Sequence, residues 1–270
     1  MIYVEGADVE YLKFNAGEPH VKVTNISSYT NVEWVFENFE EFMNLAMIVD
    51  VLNRNKSSVA LTMRYVPFAR QDRATTSSQP FSLEVFCNML KTLKIDELYF
   101  HDVHSEVFEK LMKGSKFDIL PFKQVECFQE TLDDFSQAAE TYDCIISPDK
   151  GAVNKAIEIA ILEDVPLVEA TKTRDPATGA LSNPQIDFGD LEVGRAIIVD
   201  DILDFGGTFV QLARAIKEQK PDVKLDLYVT HGLFGGGIEK YKGLFENIYC
   251  YNIMNKEIKS GDLLNLSGLS

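Results

Sequence analysis

The sequence predicts an α/β protein of two tandem domains, each a mainly parallel sheet flanked by helices. Three observations carry this. Short apolar bursts alternate with amphipathic stretches along the whole chain, the pattern that places helices over a parallel sheet. The 270 residues suit two ordinary domains. A hydrophobic share of 46% with 25% charged residues is that of a soluble globular chain able to bury a core.

Taken in order, segments 59–65, 97–100, 142–147, 165–169, 195–199 and 225–230 read as strands. Segments 40–53, 82–93, 106–112, 124–139, 152–162, 208–219 and 237–244 read as helices. One strand-helix series ends and the next begins near residues 121–124, which gives domains 1–122 and 123–270. Ligands of open α/β sheets bind beyond the carboxyl ends of strands, so those positions are where chemistry is sought.

Composition excludes several classes. A net charge of −16 argues against a nucleic-acid or anionic-membrane surface, because phosphate backbones require a basic footprint. The acidity itself is read as a solubility feature. There is no apolar run of about 18 residues, so no spanning helix is expected. The first residues, Met1 to Glu5, lack the basic start and apolar stretch of a secretory signal, which leads us to expect a cytoplasmic protein. Cys87, Cys127, Cys144 and Cys250 stand far apart with no Cys-x-x-Cys pair, so neither zinc nor disulfides are implied, and Cys87 and Cys144 suit buried thiols.

The most informative run is Ala196-Ile197-Ile198-Val199-Asp200-Asp201-Ile202-Leu203-Asp204-Phe205-Gly206-Gly207-Thr208. A buried strand delivers two adjacent acids, and a glycine loop then opens a helix whose free N–H groups form an anion site. The spacing matches neither a P-loop nor Gly-x-Gly-x-x-Gly. An ordinary strand-to-helix turn with solvated acids needs fewer acids and glycines than this.

Four further motifs follow strands. In Val66-Pro67-Phe68-Ala69-Arg70-Gln71-Asp72-Arg73, two arginines around Gln-Asp are placed for bidentate phosphate contacts, although a surface salt-bridge cluster has the same composition. Phe100-His101-Asp102-Val103-His104-Ser105 sets an imidazole two residues from a carboxylate, able to reach a metal or its water or simply to pack in a core. Ser147-Pro148-Asp149-Lys150-Gly151 is an acid-and-glycine turn that can hold a hydroxyl or a magnesium water. Thr171-Lys172-Thr173-Arg174-Asp175-Pro176 opens a basic loop; its cations either close over a transferring phosphoryl group or remain solvated.

These five motifs, Arg-Gln-Asp-Arg, Asp-x-His, Ser-Pro-Asp-x-Gly, Lys-x-Arg and Asp-Asp-Ile-x-Asp-x-Gly-Gly-Thr, occur here in the order and with separations similar to those of the ribose-phosphate pyrophosphokinases, the phosphoribosyl-pyrophosphate synthetases. The resemblance runs from about Phe14 to Asn255 and includes Thr230-His231-Gly232-Leu233-Phe234. It implies two phosphoribosyltransferase-like (type I) domains and magnesium-dependent transfer of the β,γ-diphosphoryl group of ATP to the anomeric hydroxyl of ribose 5-phosphate. Carried over by position, Arg70, Gln71, Asp72 and His104 face ATP, while Phe14 and Glu18 clasp adenine from a neighbouring subunit of a homo-oligomer. His104, Asp149 and Asp200 organise magnesium. Asp200 and Asp201 hold ribose hydroxyls, and Asp204, Phe205, Gly206, Gly207 and Thr208 take the 5-phosphate. Lys172 and Arg174 are the catalytic cations.

Some positions depart from that pattern. Phe205 stands where the family usually has Thr, Ala16 and Gly17 replace polar residues of the adenine clasp, and the chain ends at Ser270, before the family's last helix is expected. An aromatic at the phosphate end suits a bulkier acceptor such as ADP-ribose, as in phage members of the family that serve NAD salvage. The same motifs would also suit a catalytically silent nucleotide-binding paralogue, or a phosphoribosyltransferase that consumes the activated sugar.

Overall fold

The computed structural model describes residues 1–134, 141–171 and 184–268. The backbone packs as two compact units, Met1–Lys123 and Gln124–Ser270, each with its own sheet and buried apolar cluster. Among the described residues no helix is long and apolar enough to cross a membrane.

The first unit holds strands β1 (Ile2–Val4), β2 (Asp8–Lys13), β3 (Pro19–Thr24), β4 (Tyr29–Trp34), β5 (Ser58–Met63), β6 (Glu97–His101) and β7 (Asp118–Phe122). Five of them form a sheet in the order β1-β4-β5-β6-β7. The last four run parallel, and β1 pairs antiparallel at one edge. β2 and β3 form a separate antiparallel hairpin. Pro121 lacks an N–H to give the ladder and is accommodated because β7 is an edge strand.

Helices α1 (Glu40–Arg54), α2 (Ser82–Leu90) and α3 (Val107–Met112) join the parallel strands. In α1, Phe42, Leu45, Ile48, Val49 and Leu52 recur at three- and four-residue intervals and are buried as one face. Each such side chain stabilises by about 1.5–3 kcal/mol relative to leaving it in water. Glu40 and Glu41 occupy the first turn, where the helix dipole favours negative charge, and Asn38 accepts the Glu40 N–H. Trp34, at the end of β4, packs against Phe36, Phe42 and Phe86, which ties the sheet to α1 and α2.

The second unit holds β8 (Cys144–Ser147), β9 (Leu167–Thr171), β10 (Gln185–Ile186), β11 (Arg195–Leu203), β12 (Lys224–Gly232) and β13 (Ile248–Ile253), with helices α4 (Gln124–Asp134), α5 (Val153–Glu163) and α6 (Gly207–Gln219). The sheet order is β10-β9-β8-β11-β12-β13, parallel except for β10 against β9. Ala196, Ile197, Ile198 and Val199 are fully buried, as a central strand covered on both faces requires. At the amino end of this sheet Asp226, also fully buried, accepts hydrogen bonds from the Arg195 guanidinium (Nη2 at 2.6 Å), Tyr142 and Asn247. Cys87, Cys127 and Cys144 are buried and Cys250 half-buried. Burial pushes the Cys87, Cys144 and Cys250 thiols up to about 12.

The expected helix over 237–244 is not formed. Only a 3-10 turn, Glu239–Tyr241, occurs there, because Gly237 and Gly243 take positive φ (68° and 72°) and Tyr241 is turned wholly into the core. Residues 135–139 of the expected helix 124–139 lie outside the described residues. The structure also adds strands that periodicity does not mark: β1 to β4, β7, β10 and β13.

Candidate active site

In the N-terminal unit the chain leaves β5 and enters a long loop before α2. Val66 and Ala69 are buried and pin the loop, while Phe68, with φ at 63°, sets its ring 5.9 Å from both Phe39 and Phe86. With these residues turned inward, Arg70, Gln71 and Arg73 are exposed. The turn is closed by the Gln71 N–H donating to the Phe68 carbonyl at 2.8 Å, and the Gln71 carbonyl accepts the Leu83 N–H at the start of α2. Arg70, Gln71, Asp72, Arg73 and His104 line one cleft of about 580 Å³. Ser105 donates to the Asp72 carboxylate at 2.9 Å, so the segment after β6 orients the acid of the arginine loop. Asp102 is buried with φ at 34°, and its N–H donates to the Phe122 carbonyl at 2.8 Å.

Phe14 and Glu18 stand elsewhere in this unit, at the tip of the β2–β3 hairpin. Their backbones close the turn, the Phe14 N–H donating to the Glu18 carbonyl at 2.9 Å. The Phe14 ring is 57% exposed and lies 5.8 Å from that of His20. Neither residue lines the arginine cleft.

In the C-terminal unit the groups stand at carboxyl ends of adjacent parallel strands. After β8, the Ser147 hydroxyl donates to the Asp149 carbonyl at 2.7 Å, and the Asp149 carboxylate accepts the Gly151 N–H at 2.9 Å. On β11, the Asp201 N–H donates to the Asp200 carboxylate at 2.9 Å, and the Lys155 amine from α5 lies 3.8 Å from the Asp201 carboxylate. Desolvation, with Asp201 and then Asp149 adding repulsion, holds the Asp200 carboxyl well above the ordinary carboxylate range. Crowded acids of this kind gain from a cation.

Within this unit the donors, Asp149, Asp200 and Asp201, are all oxygen, which suits a hard divalent ion such as magnesium. Among the described residues no group of three or more His, Cys, Asp or Glu side chains could hold an ion alone. An ion at Asp200 would therefore complete its shell with phosphate oxygens and water, the usual manner of magnesium.

Beyond Leu203 the chain turns through Asp204, Phe205 and Gly206 into α6. Gly206 is the residue before the first helical turn and takes φ of 68°, a left-handed conformation that suits glycine. A Cβ here would also collide with the Tyr241 hydroxyl. The helix N-terminus thus opens with glycine amides and no side-chain cap, which leaves donors for an anion. Phe205 is 67% exposed, with its ring beside the Gly235–Gly236 backbone, where added Cβ atoms would meet ring carbons at 3.6–3.7 Å. Lys240 donates to the Phe205 carbonyl.

The structure therefore gathers Arg70, Gln71, Asp72 and His104 in one unit and brings Asp149, Asp200, Asp201 and the 204–208 loop to one end of the sheet in the other. Lys172 and Arg174 lie outside the described residues. Sequence reasoning misses Lys155, Lys240 and Tyr241. The signal for the last two is the triple glycine Gly235-Gly236-Gly237, which disfavours the helix expected for that stretch.

Residues 126–253 match the phosphoribosyl transferase domain family. The chain is 29% identical over 250 residues to the ribose-phosphate pyrophosphokinase of Pyrococcus furiosus, a match that takes in 91% of this chain and 85% of that one. It is 26% identical over 242 residues to the enzyme of that name from Vibrio parahaemolyticus, covering 87% and 74% of the two chains. The crystal structure of phosphoribosylpyrophosphate synthetase from Mycobacterium smegmatis superimposes with a TM-score of 0.74 at 19% identity over 94% of this chain and 84% of that one, which shows the shared fold. Over most of its length the chain is thus similar to the ribose-phosphate pyrophosphokinases, and it shares the fold of a phosphoribosylpyrophosphate synthetase.

Proposed function

We propose that this chain transfers the β,γ-diphosphoryl group of magnesium-bound ATP to the anomeric C1 hydroxyl of ribose 5-phosphate, giving phosphoribosyl pyrophosphate and AMP. The observation that carries the reading is the acid pair Asp200–Asp201 at the end of β11, immediately ahead of a helix N-terminus opened by Gly206 and Gly207. Acids suit ribose hydroxyls and the ion, and the uncapped amides suit a 5-phosphate. The other unit supplies the nucleotide contacts: Arg70 and Arg73 neutralise phosphate charge, with Gln71, Asp72 and His104 lining the same cleft.

Magnesium, when bound, screens the charge of the nucleotide and polarises the phosphorus that is attacked. Asp200, Asp149 and His104 are the residues proposed to hold or orient it. Asp200 and Asp201 fix the sugar so that its C1 oxygen is presented in line, which supplies much of the rate without a covalent intermediate. Lys172 and Arg174 are proposed to stabilise the charge that builds during transfer. Phe14 and Glu18, exposed at a hairpin tip, are proposed to serve the adenine of a neighbouring subunit.

A second reading concerns the acceptor. Phe205 lays its ring along a glycine shelf and leaves most of its surface open beside the phosphate loop, a platform on which a base could stack. This favours the same transfer to a bulkier 5-substituted ribose such as ADP-ribose. Incubation with ATP, magnesium and each acceptor, followed by identification of products by mass, separates the two. Better efficiency with ribose 5-phosphate dismisses the second reading, and absence of AMP with every acceptor dismisses both.

A further inference from the structure

Two residues that belong to none of the motifs stand against the phosphate loop. The turn Glu239–Tyr241 follows β12 and brings Lys240 to the Phe205 carbonyl, to which its amine donates. The same amine occupies the space that a Gly236 side chain would need, and it lies 5.4 Å from the centroid of the Tyr241 ring, whose face helps to hold it. Tyr241 is wholly buried and points its hydroxyl at Gly206, with Cζ and Cε1 behind at 2.8 and 2.9 Å from the place a Cβ would take. That hydroxyl has no hydrogen-bond partner among the described residues.

A buried hydroxyl without a partner is costly, and an unsatisfied group in a native protein calls for an explanation. Here it faces Gly206, the residue before α6, a helix of 13 residues whose terminal amides favour an anion. The chain carries a net charge of −16, so its overall field opposes phosphate. Lys240 brings a positive charge to this terminus, where the nearest acid is Asp204, whose carboxylate lies against Gly235.

We infer that Lys240 and Tyr241 belong to the anion loop. The Lys240 amine moves from the Phe205 carbonyl to pair with the phosphate held at the start of α6. The Tyr241 hydroxyl is a positioning donor, satisfied when the loop settles on that phosphate. The inference rests on the phosphate-loop reading above and adds the side chains that set affinity for the acceptor.

The test pairs kinetics with ligand-induced thermal stabilisation by inorganic phosphate and by ribose 5-phosphate. In Lys240→Met the acceptor KM rises about tenfold or more while the ATP KM stays within about twofold, and Lys240→Arg recovers most of the loss. Tyr241→Phe melts higher than the parent without phosphate, since an unsatisfied hydroxyl has gone, yet gains less on adding phosphate. Unchanged acceptor KM and unchanged phosphate stabilisation in Lys240→Met overturn the assignment of the lysine. An equal gain for Tyr241→Phe and parent overturns that of the tyrosine. Should the parent protein turn over no acceptor, the diphosphoryl-transfer reading fails, while loss of the phosphate shift in Lys240→Met still supports this inference. A parent protein that inorganic phosphate does not stabilise at all refutes it.

Discussion

In the C-terminal unit the functional groups are fixed by the sheet itself, whereas in the N-terminal unit they hang from a loop between β5 and α2. Asp200 and Asp201 are residues of β11, and the amides of the phosphate loop are held by a glycine wedged against Tyr241. Arg70, Gln71 and Arg73 extend into solvent from three inward anchors, Val66, Phe68 and Ala69. On the proposed function, the first arrangement would hold the sugar phosphate rigidly, and the second would leave long side chains to adapt to a flexible triphosphate. Rigidity is placed where a reacting hydroxyl must be aimed.

The largest expected effect tests the chemistry that both regions serve. Lys172→Ala should lower turnover about 100- to 1,000-fold with little change in nucleotide affinity, and a near-normal rate would remove Lys172 from the catalytic set. Next, Asp226→Ala at the opposite end of the C-terminal sheet leaves the Arg195 guanidinium without its buried partner. It should cost about 3–5 kcal/mol in denaturant unfolding while both KM values hold at temperatures where the protein stays folded. A change in acceptor KM there would mean that the two ends of the sheet are coupled.

Gly206→Ala should cost about 1–3 kcal/mol from the left-handed backbone, with added loss from the Tyr241 collision, and should weaken acceptor binding selectively. A rise in ATP KM alone would contradict the division of labour between the units. Arg70→Lys keeps the charge and loses the planar fork, so the ATP KM should rise about tenfold in steady-state assays. Ser105→Ala, which frees Asp72 from its 2.9 Å hydrogen bond, should raise the ATP KM only about two- to threefold, and a larger effect would show the loop to be stiffer than its exposure implies.

The same contrast governs what is legible in the sequence. Ala196 to Val199 form an unbroken apolar run because β11 is buried on both faces there, and the acids and glycines follow within residues 200–207, so strand, site and helix can be read together. β4 escapes such a reading, since it alternates buried Thr30, Val32 and Trp34 with polar neighbours and looks like an indifferent mixture until its partners are known. β1 and β10 are too short for a period to show. The stretch 237–244 has helical spacing in Ile238, Tyr241 and Leu244, but those residues are apolar to pack on the core beneath a loop rather than to form a helix face. Lys240 and Tyr241 are invisible as site residues for the same reason: their role comes from proximity to Gly206, which only the tertiary structure supplies.

The wedge of Tyr241 under Gly206 has an evolutionary consequence. A lineage that replaced the tyrosine with a smaller side chain would remove the collision but keep the positive φ, so neither change alone opens position 206 to other amino acids. The pair is epistatically locked, and the combined replacement should be less harmful than the sum of its parts without ever becoming neutral. Drift in this chain should therefore run through Phe205, whose open face constrains no neighbour, before it touches the glycine beside it.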